Sequence, residues 1–114
     1  GKVPISGQDA TADGCNSIVK GEQTVTVYKD FRLLAPKVVD MMDALIKGNP
    51  IERAEPFSLA LLTGSDLPGA VQCVFLPVVQ VTKDNVYEEI VVSGFQPYDA
   101  VYRDIPEGER PPKP

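Results

Sequence analysis

The stretch that decides the fold is residues 5–30, ISGQDATADGCNSIVKGEQTVTVYKD. Around it the pattern predicts a strand from Lys2 to Ser6, a polar turn, a helix within residues 10–20 and a second strand over residues 24–28. Gly21 is expected to end the helix, since glycine adopts the left-handed conformation readily. The second strand, TVTVY, has β-branched residues at four of its five positions. This order predicts an α/β fold built on a parallel sheet.

Two residues of opposite charge follow the two predicted strands. Asp9 comes just after the first strand and Lys29 just after the second. Ligands of open α/β sheets bind just beyond the carboxyl ends of the strands, so we expect both side chains at one edge of the sheet. Simpler interpretations exist for each: Asp9 or Thr11 could cap the first helix, and Lys29 could be a solvated strand end. Asp9 and Lys29 are the candidate ligand-binding residues.

The composition argues against several classes of function. The chain has 114 residues, a net charge of −5 and no histidine. An acidic chain is poorly suited to nucleic acid, whose binding depends on clustered lysine and arginine. No Ser/His or Cys/His pair can form, and Gly-rich phosphate motifs are missing from the sequence. We therefore predict neither an enzyme nor a cofactor, and no nucleic-acid partner.

Metal sites and a disulfide are not expected either. Cys15 and Cys73 belong to no Cys-x-x-Cys or Cys/His pattern, which excludes zinc, and we expect two separate thiols. Residues 9–14, DATADG, imitate the start of a calcium-binding loop. However, Lys20 occupies the twelfth position of that loop, where a glutamate is required.

The middle of the chain predicts a long helix followed by a hairpin. Residues 33–47 carry an apolar stripe at helical spacing, and its two methionines, Met41 and Met42, are expected to pack in a core. Residues 56–62 and 71–79 read as two extended segments around turn clusters rich in glycine, proline and aspartate.

The end of the chain predicts one more helix and a tail. Thr82 or Asp84 should cap a helix that carries Glu88 or Glu89 in its first turn. Beyond Phe95 the hydrophobic periodicity is lost. The last eight residues, EGERPPKP, are rich in charge and proline, so a disordered tail is expected.

Three segments carry a resemblance to a known family. They are GQDA at residues 7–10, TVYKD at residues 26–30 and VTKDNVYEEIVVSGF at residues 81–95. With the helix between the first two, they resemble the C-terminal part of type I periplasmic sugar-binding proteins of ABC transporters. The nearest branch is the xylose-binding and multiple-monosaccharide-binding proteins. The resemblance covers the chain from Lys2 to about Phe95.

The resemblance implies a fragment of a two-lobed fold in which parallel sheets are flanked by helices. Residues 1–29 and 82–98 would belong to the C-terminal lobe and residues 30–81 to the N-terminal lobe, while residues 99–114 would form a tail. Each lobe would lack part of its sheet. The isolated chain is therefore expected to be oligomeric or associated with the rest of its parent chain.

The resemblance also implies a function. The protein would be the solute-binding component of an ABC importer, which binds a monosaccharide by hinge closure between two lobes and delivers it to the permease. In this family an aspartate at the GQDA position and a polar residue after the next strand contact the sugar, matching Asp9 and Lys29. The location would be periplasmic or extracellular, with a lipoprotein tether in Gram-positive cells. The alternative is the ligand-sensing domain of a LacI-type transcriptional regulator, which shares the fold.

Overall fold

The computed structural model describes residues 3–114, and the chain divides into two compact units. The first unit comprises the residues up to Lys29 together with Val78–Pro114, and the second comprises Asp30–Pro77. In chain order the elements are β1 (Ser6–Gln8), α1 (Ala12–Val19), β2 (Val25–Tyr28), α2 (Phe31–Ile46), β3 (Glu55–Ser58), α3 (Leu59–Thr63), β4 (Ala70–Cys73), β5 (Val79–Val81), a π-helix (Tyr87–Val92), α4 (Tyr98–Val101) and a 3₁₀ helix (Glu107–Glu109).

The first unit is built on a three-stranded sheet in the order β1-β2-β5. β1 and β2 are parallel, with Gln8 opposite Val27, whereas β5 is antiparallel to β2. The α/β class is confirmed, but this sheet is mixed rather than parallel. Because β5 belongs to it, the second unit ends at Pro77, four residues before the boundary expected at residue 81.

The first strand lies later in the chain than predicted. The expected strand Lys2–Ser6 begins outside the described residues, and the observed strand is Ser6–Gln8. Gly7 and Gln8 pair with β2 through their backbones, so a pattern of apolar side chains could not reveal them. Gly7 packs closely: a Cβ atom there would come within 2.6 Å of the Gln23 Nε2 atom.

Helix α1 begins and ends close to the predicted residues. The hydroxyl of Thr11 accepts a hydrogen bond from the Gly14 amide at 3.1 Å, and Gly21 follows the helix with a φ of 78°. The buried face of α1 packs into one hydrophobic core with β2, β5, the π-helix and α4. The buried apolar residues of this core are Ala10, Cys15, Ile18, Val19, Tyr28, Val81, Val86, Ile90, Val91, Val101 and Tyr102.

The helix predicted after residue 82 is a π-helix, and the predicted caps are wrong. Asn85 instead makes the side-chain hydrogen bonds of this region. Its side chain accepts from the Thr82 amide at 2.8 Å and donates to the Gln80 carbonyl at 3.0 Å. This closes the turn between β5 and the π-helix. The N-terminus of the π-helix itself has no side-chain cap.

The last sixteen residues pack on the first unit, which corrects the expectation of a tail over residues 99–114. Val101 is fully buried. The Tyr98 hydroxyl donates to the Pro111 carbonyl at 2.6 Å, and the Tyr87 hydroxyl donates to the Pro112 carbonyl at 2.9 Å. The prolines near the C-terminus predicted a disordered tail. In the structure, the carbonyls of two of them accept the hydrogen bonds that hold this segment.

The second unit contains α2, α3 and a hairpin of β3 and β4. The predicted hairpin is present, and its strands are antiparallel, with Glu55 opposite Cys73. Its first extended segment is shorter than predicted because Ser58 caps α3 by accepting from the Leu61 amide at 3.4 Å. Residues 59–62 are therefore helical rather than extended.

Helix α2 does not bury its apolar stripe. No residue of α2 is buried, and the side chain of Met42 is 56% exposed, so the expectation of core methionines is wrong for this chain. Pro36 is the sixth residue of α2 and lies inside the helix, where proline cannot donate the regular backbone hydrogen bond. None of the helices described between residues 3 and 114 is long and apolar enough to cross a membrane.

Candidate functional site

Parallel pairing of β1 and β2 brings the two candidate residues to the same edge of the sheet. Gln8 ends β1, Tyr28 ends β2, and the next residues in sequence are Asp9 and Lys29. The Lys29 Nζ atom lies 2.9 Å from the Asp9 Oδ1 atom. The predicted proximity of the pair is confirmed, while its role in ligand binding stays a prediction.

The pair is open to solvent and includes a third polar group. The side chains of Lys29 and Asp9 are 51% and 62% exposed. The Lys29 ammonium also donates to the Gln8 Oε1 atom at 3.5 Å. An incoming polar molecule can therefore reach the carboxylate, the ammonium and the amide oxygen.

The simpler interpretation of Asp9 as a helix cap is not what the structure shows. Thr11 caps α1, which leaves the Asp9 carboxylate to pair with Lys29. The nearby Asp13 lies on α1 and pairs instead with Arg103, whose Nη1 atom is 2.7 Å from its Oδ1 atom. The two neighbouring aspartates therefore have separate surroundings.

The chemistry of the pair suits adjacent hydroxyl groups. Each hydroxyl donates one hydrogen bond and accepts up to two. A carboxylate only accepts and can take two hydroxyl protons, while an ammonium only donates and can serve two oxygen lone pairs. Hydrogen bonds to such charged partners are roughly twice as strong as those between neutral groups. Asp9 and Lys29 can thus engage neighbouring hydroxyls of one neutral molecule.

The residue immediately before Lys29 makes a buried aromatic contact. The ring of Tyr28 is buried, and its centroid lies 4.5 Å from that of Phe95. This contact anchors the residue that immediately precedes Lys29.

Sequence reasoning missed two residues that contact the turn carrying Asp9. The Thr26 Oγ1 atom accepts from the Ala10 amide at 3.3 Å, and the Gln96 Nε2 atom donates to the Ala10 carbonyl at 3.0 Å. The sequence offered one signal for Gln96. Pro97 follows it and disfavours helical backbone conformations of Gln96, so the backbone of Gln96 has little conformational freedom. Nothing in the sequence indicates that Gln96 bonds to Ala10, which lies 86 positions away.

The two cysteines are separate thiols, as the sequence predicts. Both are free; Cys15 is buried in the first unit and Cys73 lies on β4 of the second. Burial raises the pKa of the Cys15 thiol to about 11. Across residues 3–114 there is no cluster of three potential metal-binding side chains among the His, Cys, Asp and Glu residues.

Comparisons with known proteins identify relatives over most of the chain. The D-xylose-binding periplasmic protein of Haemophilus influenzae is 34% identical over 102 residues, which are 90% of this chain and 29% of that protein. The multiple sugar-binding periplasmic receptor ChvE of Rhizobium radiobacter is 37% identical over 94 residues, 82% of this chain and 25% of the receptor. No protein-family model matches the sequence.

A solved structure gives the same result for the fold. An ABC transporter solute-binding protein from Clostridium phytofermentans, crystallised with β-D-glucose, matches with a TM-score of 0.71 and 26% identity. The match covers 86% of this chain and 29% of that protein. This chain thus spans less than a third of the length of the relatives it matches. Over most of its own length, the chain belongs to the family of periplasmic sugar-binding proteins of ABC transporters.

Proposed function

We propose that the protein carrying this chain is the solute-binding component of an ABC importer and that Asp9 and Lys29 contact hydroxyl groups of a monosaccharide. The observation that carries the proposal is the exposed pair at the carboxyl ends of β1 and β2, with 2.9 Å between the Lys29 Nζ and Asp9 Oδ1 atoms. The relatives' names support the choice of ligand, because they are xylose-binding and multiple-sugar-binding proteins.

The remaining parts of the proposal follow from the family. The sugar would be enclosed by closure of two lobes and presented to a membrane permease. The protein would act outside the cytoplasm, with a lipid tether if the cell is Gram-positive, and would catalyse no reaction. The relatives' names favour this role over ligand sensing by a transcriptional regulator, since they describe periplasmic proteins.

Calorimetric titration of the full-length protein with a panel of pentoses and hexoses tests the proposal. We expect the wild type to bind at least one sugar. Asp9→Ala should weaken that binding about 10- to 100-fold, because hydrogen bonds to a charged acceptor are lost. Asp13→Ala is the matched control, since Asp13 pairs with Arg103 on the exposed face of α1 and should leave affinity unchanged.

Two results would contradict the proposal. A wild-type protein that binds no sugar of the panel refutes the function. Equal sugar affinity in the wild type and Asp9→Ala refutes the site while leaving the function standing.

A further inference from the structure

The turn that carries Asp9 has an unusual backbone. Asp9 and Ala10 have φ angles of 71° and 44°, in the left-handed region that residues other than glycine rarely adopt. Such conformations persist only where surrounding contacts hold them, and they concentrate at functional sites. The contacts around this turn are therefore informative about the site.

Strand β2 holds the amide side of the turn. The Asp9 amide donates to the Val27 carbonyl at 2.7 Å, and the Ala10 amide donates to the Thr26 hydroxyl at 3.3 Å. Both contacts come from the strand that pairs with β1. These two hydrogen bonds hold the amides of the turn. The carbonyl of Ala10 is held by other residues.

The carbonyl side of the turn is held from a distant part of the chain. Ala10 is fully buried, and its carbonyl accepts a hydrogen bond from the Gln96 side-chain amide at 3.0 Å. The Cys15 thiol lies 3.5 Å from the same oxygen and is a weaker donor. Gln96 is thus the main donor to this buried carbonyl.

Gln96 is itself firmly held. The amides of Phe95 and Gln96 both donate to the Ile90 carbonyl, at 3.0 and 3.1 Å, at the end of the π-helix. Pro97 restricts the backbone on the other side. The ring of Phe95 packs on Tyr28, the residue before Lys29. Two adjacent residues therefore support the two strand ends that carry the candidate site.

We propose that Gln96 is a positioning residue of the Asp9–Lys29 site, whose amide holds the Ala10 carbonyl and thereby keeps the Asp9 carboxylate directed at Lys29. This inference rests on the proposed function, because it assigns Gln96 to the same monosaccharide site. The side-chain amide of Gln96 donates to the Ala10 carbonyl, so Gln96 acts on the Asp9 carboxylate through the backbone of the turn.

The test replaces Gln96 with methionine, which has a similar length but no donor, in the protein as its gene encodes it. We expect sugar affinity to fall about tenfold, since the loss of a hydrogen bond to a buried carbonyl has a cost of this order. Exchange of the Asp9 and Ala10 amides, followed by NMR, should accelerate about tenfold, while amides in the middle of β2 keep their wild-type rates. The control is Gln72→Met, at an exposed position of β4, which should change neither quantity.

The two measurements separate failure of this inference from failure of the proposed function. If the wild type binds no sugar, the function fails, and amide exchange at Asp9 and Ala10 alone decides whether Gln96 holds the turn. Unchanged affinity in a sugar-binding protein overturns the positioning role. So does accelerated exchange spread evenly over the first unit, because that result assigns Gln96 to general stability.

Discussion

At the scale of single residues, the ion pair between Asp9 and Lys29 should matter for binding and hardly at all for folding. Both side chains are more than half exposed, and exposed ion pairs contribute ~0–1 kcal/mol to stability. Lys29→Met should therefore leave the thermal midpoint nearly unchanged while weakening monosaccharide binding about 10- to 100-fold, since donors to the hydroxyls are lost. Calorimetry and thermal unfolding measure the two effects.

The chain offers a matched control for Lys29. Lys47 also forms an exposed ion pair, with its Nζ atom 2.8 Å from the Asp43 Oδ2 atom on α2. Lys47→Met removes the same charge and the same kind of contact. If both variants weaken sugar binding equally, the effect is one of net charge, and the assignment of Lys29 to the site is wrong.

A second residue-scale prediction concerns pH. Burial raises the pKa of Cys15 from 9.0 to about 11 in the folded protein, so the folded state favours the neutral thiol. This contribution is fully present below pH 9 and is lost as the pH rises toward 11, because the unfolded chain then releases the proton more readily. The free energy of unfolding should fall over this range in chemical denaturation experiments.

Cys15→Ala provides the comparison for the pH effect. The variant lacks the thiol, so its free energy of unfolding should decline less steeply between pH 9 and pH 11 than that of the wild type. Other groups titrate in this range in both proteins and cancel in the difference. Parallel curves would show that Cys15 ionises alike in the folded and unfolded states.

At the scale of elements, the C-terminal segment should behave as part of the first unit. The hydrogen bond from the Tyr98 hydroxyl to the Pro111 carbonyl spans 2.6 Å and is partly buried. Tyr98→Phe removes this donor and should lower stability by about 1 kcal/mol. Amide exchange at Glu109 and Arg110 should accelerate in the same variant, which tests whether the segment is released. Wild-type exchange at both amides in Tyr98→Phe would show that other contacts suffice to hold it.

The elements also show what could be predicted from the sequence. The meeting of Asp9 and Lys29 was predictable because parallel strands place their carboxyl ends at one edge, whatever their side chains. The placement of β1 was not, because Gly7 and Gln8 join the sheet through backbone hydrogen bonds. The role of Gln96 depends on a contact across 86 positions, for which local patterns carry no information. The prediction of a disordered C-terminal tail was wrong because composition alone does not reveal that the proline carbonyls accept hydrogen bonds.

At the scale of the whole molecule, the apolar stripe of α2 has a consequence for the isolated chain. Several large apolar side chains at helical spacing are about half exposed or more: Leu34, Val38, Met42, Leu45 and Ile46. Burying one such side chain stabilises a protein by roughly 1.5–3 kcal/mol, so covering this face is strongly favoured. Exposed apolar patches of this kind mark interfaces or sites of association.

We therefore expect the purified 114-residue chain to self-associate through α2. Light scattering should give a mass well above the 12.3 kDa of one chain. The double variant Val38→Gln and Leu45→Gln, which makes the stripe polar, should shift the mass toward that of the monomer, since the apolar area available for burial shrinks. The control, Lys37→Gln with Asp40→Gln, keeps the net charge and changes α2 beside the stripe, so its mass should match the wild type. A monodisperse wild-type monomer with amides protected along α2 would contradict the expectation, because the helix would then be stable without any cover on its apolar face.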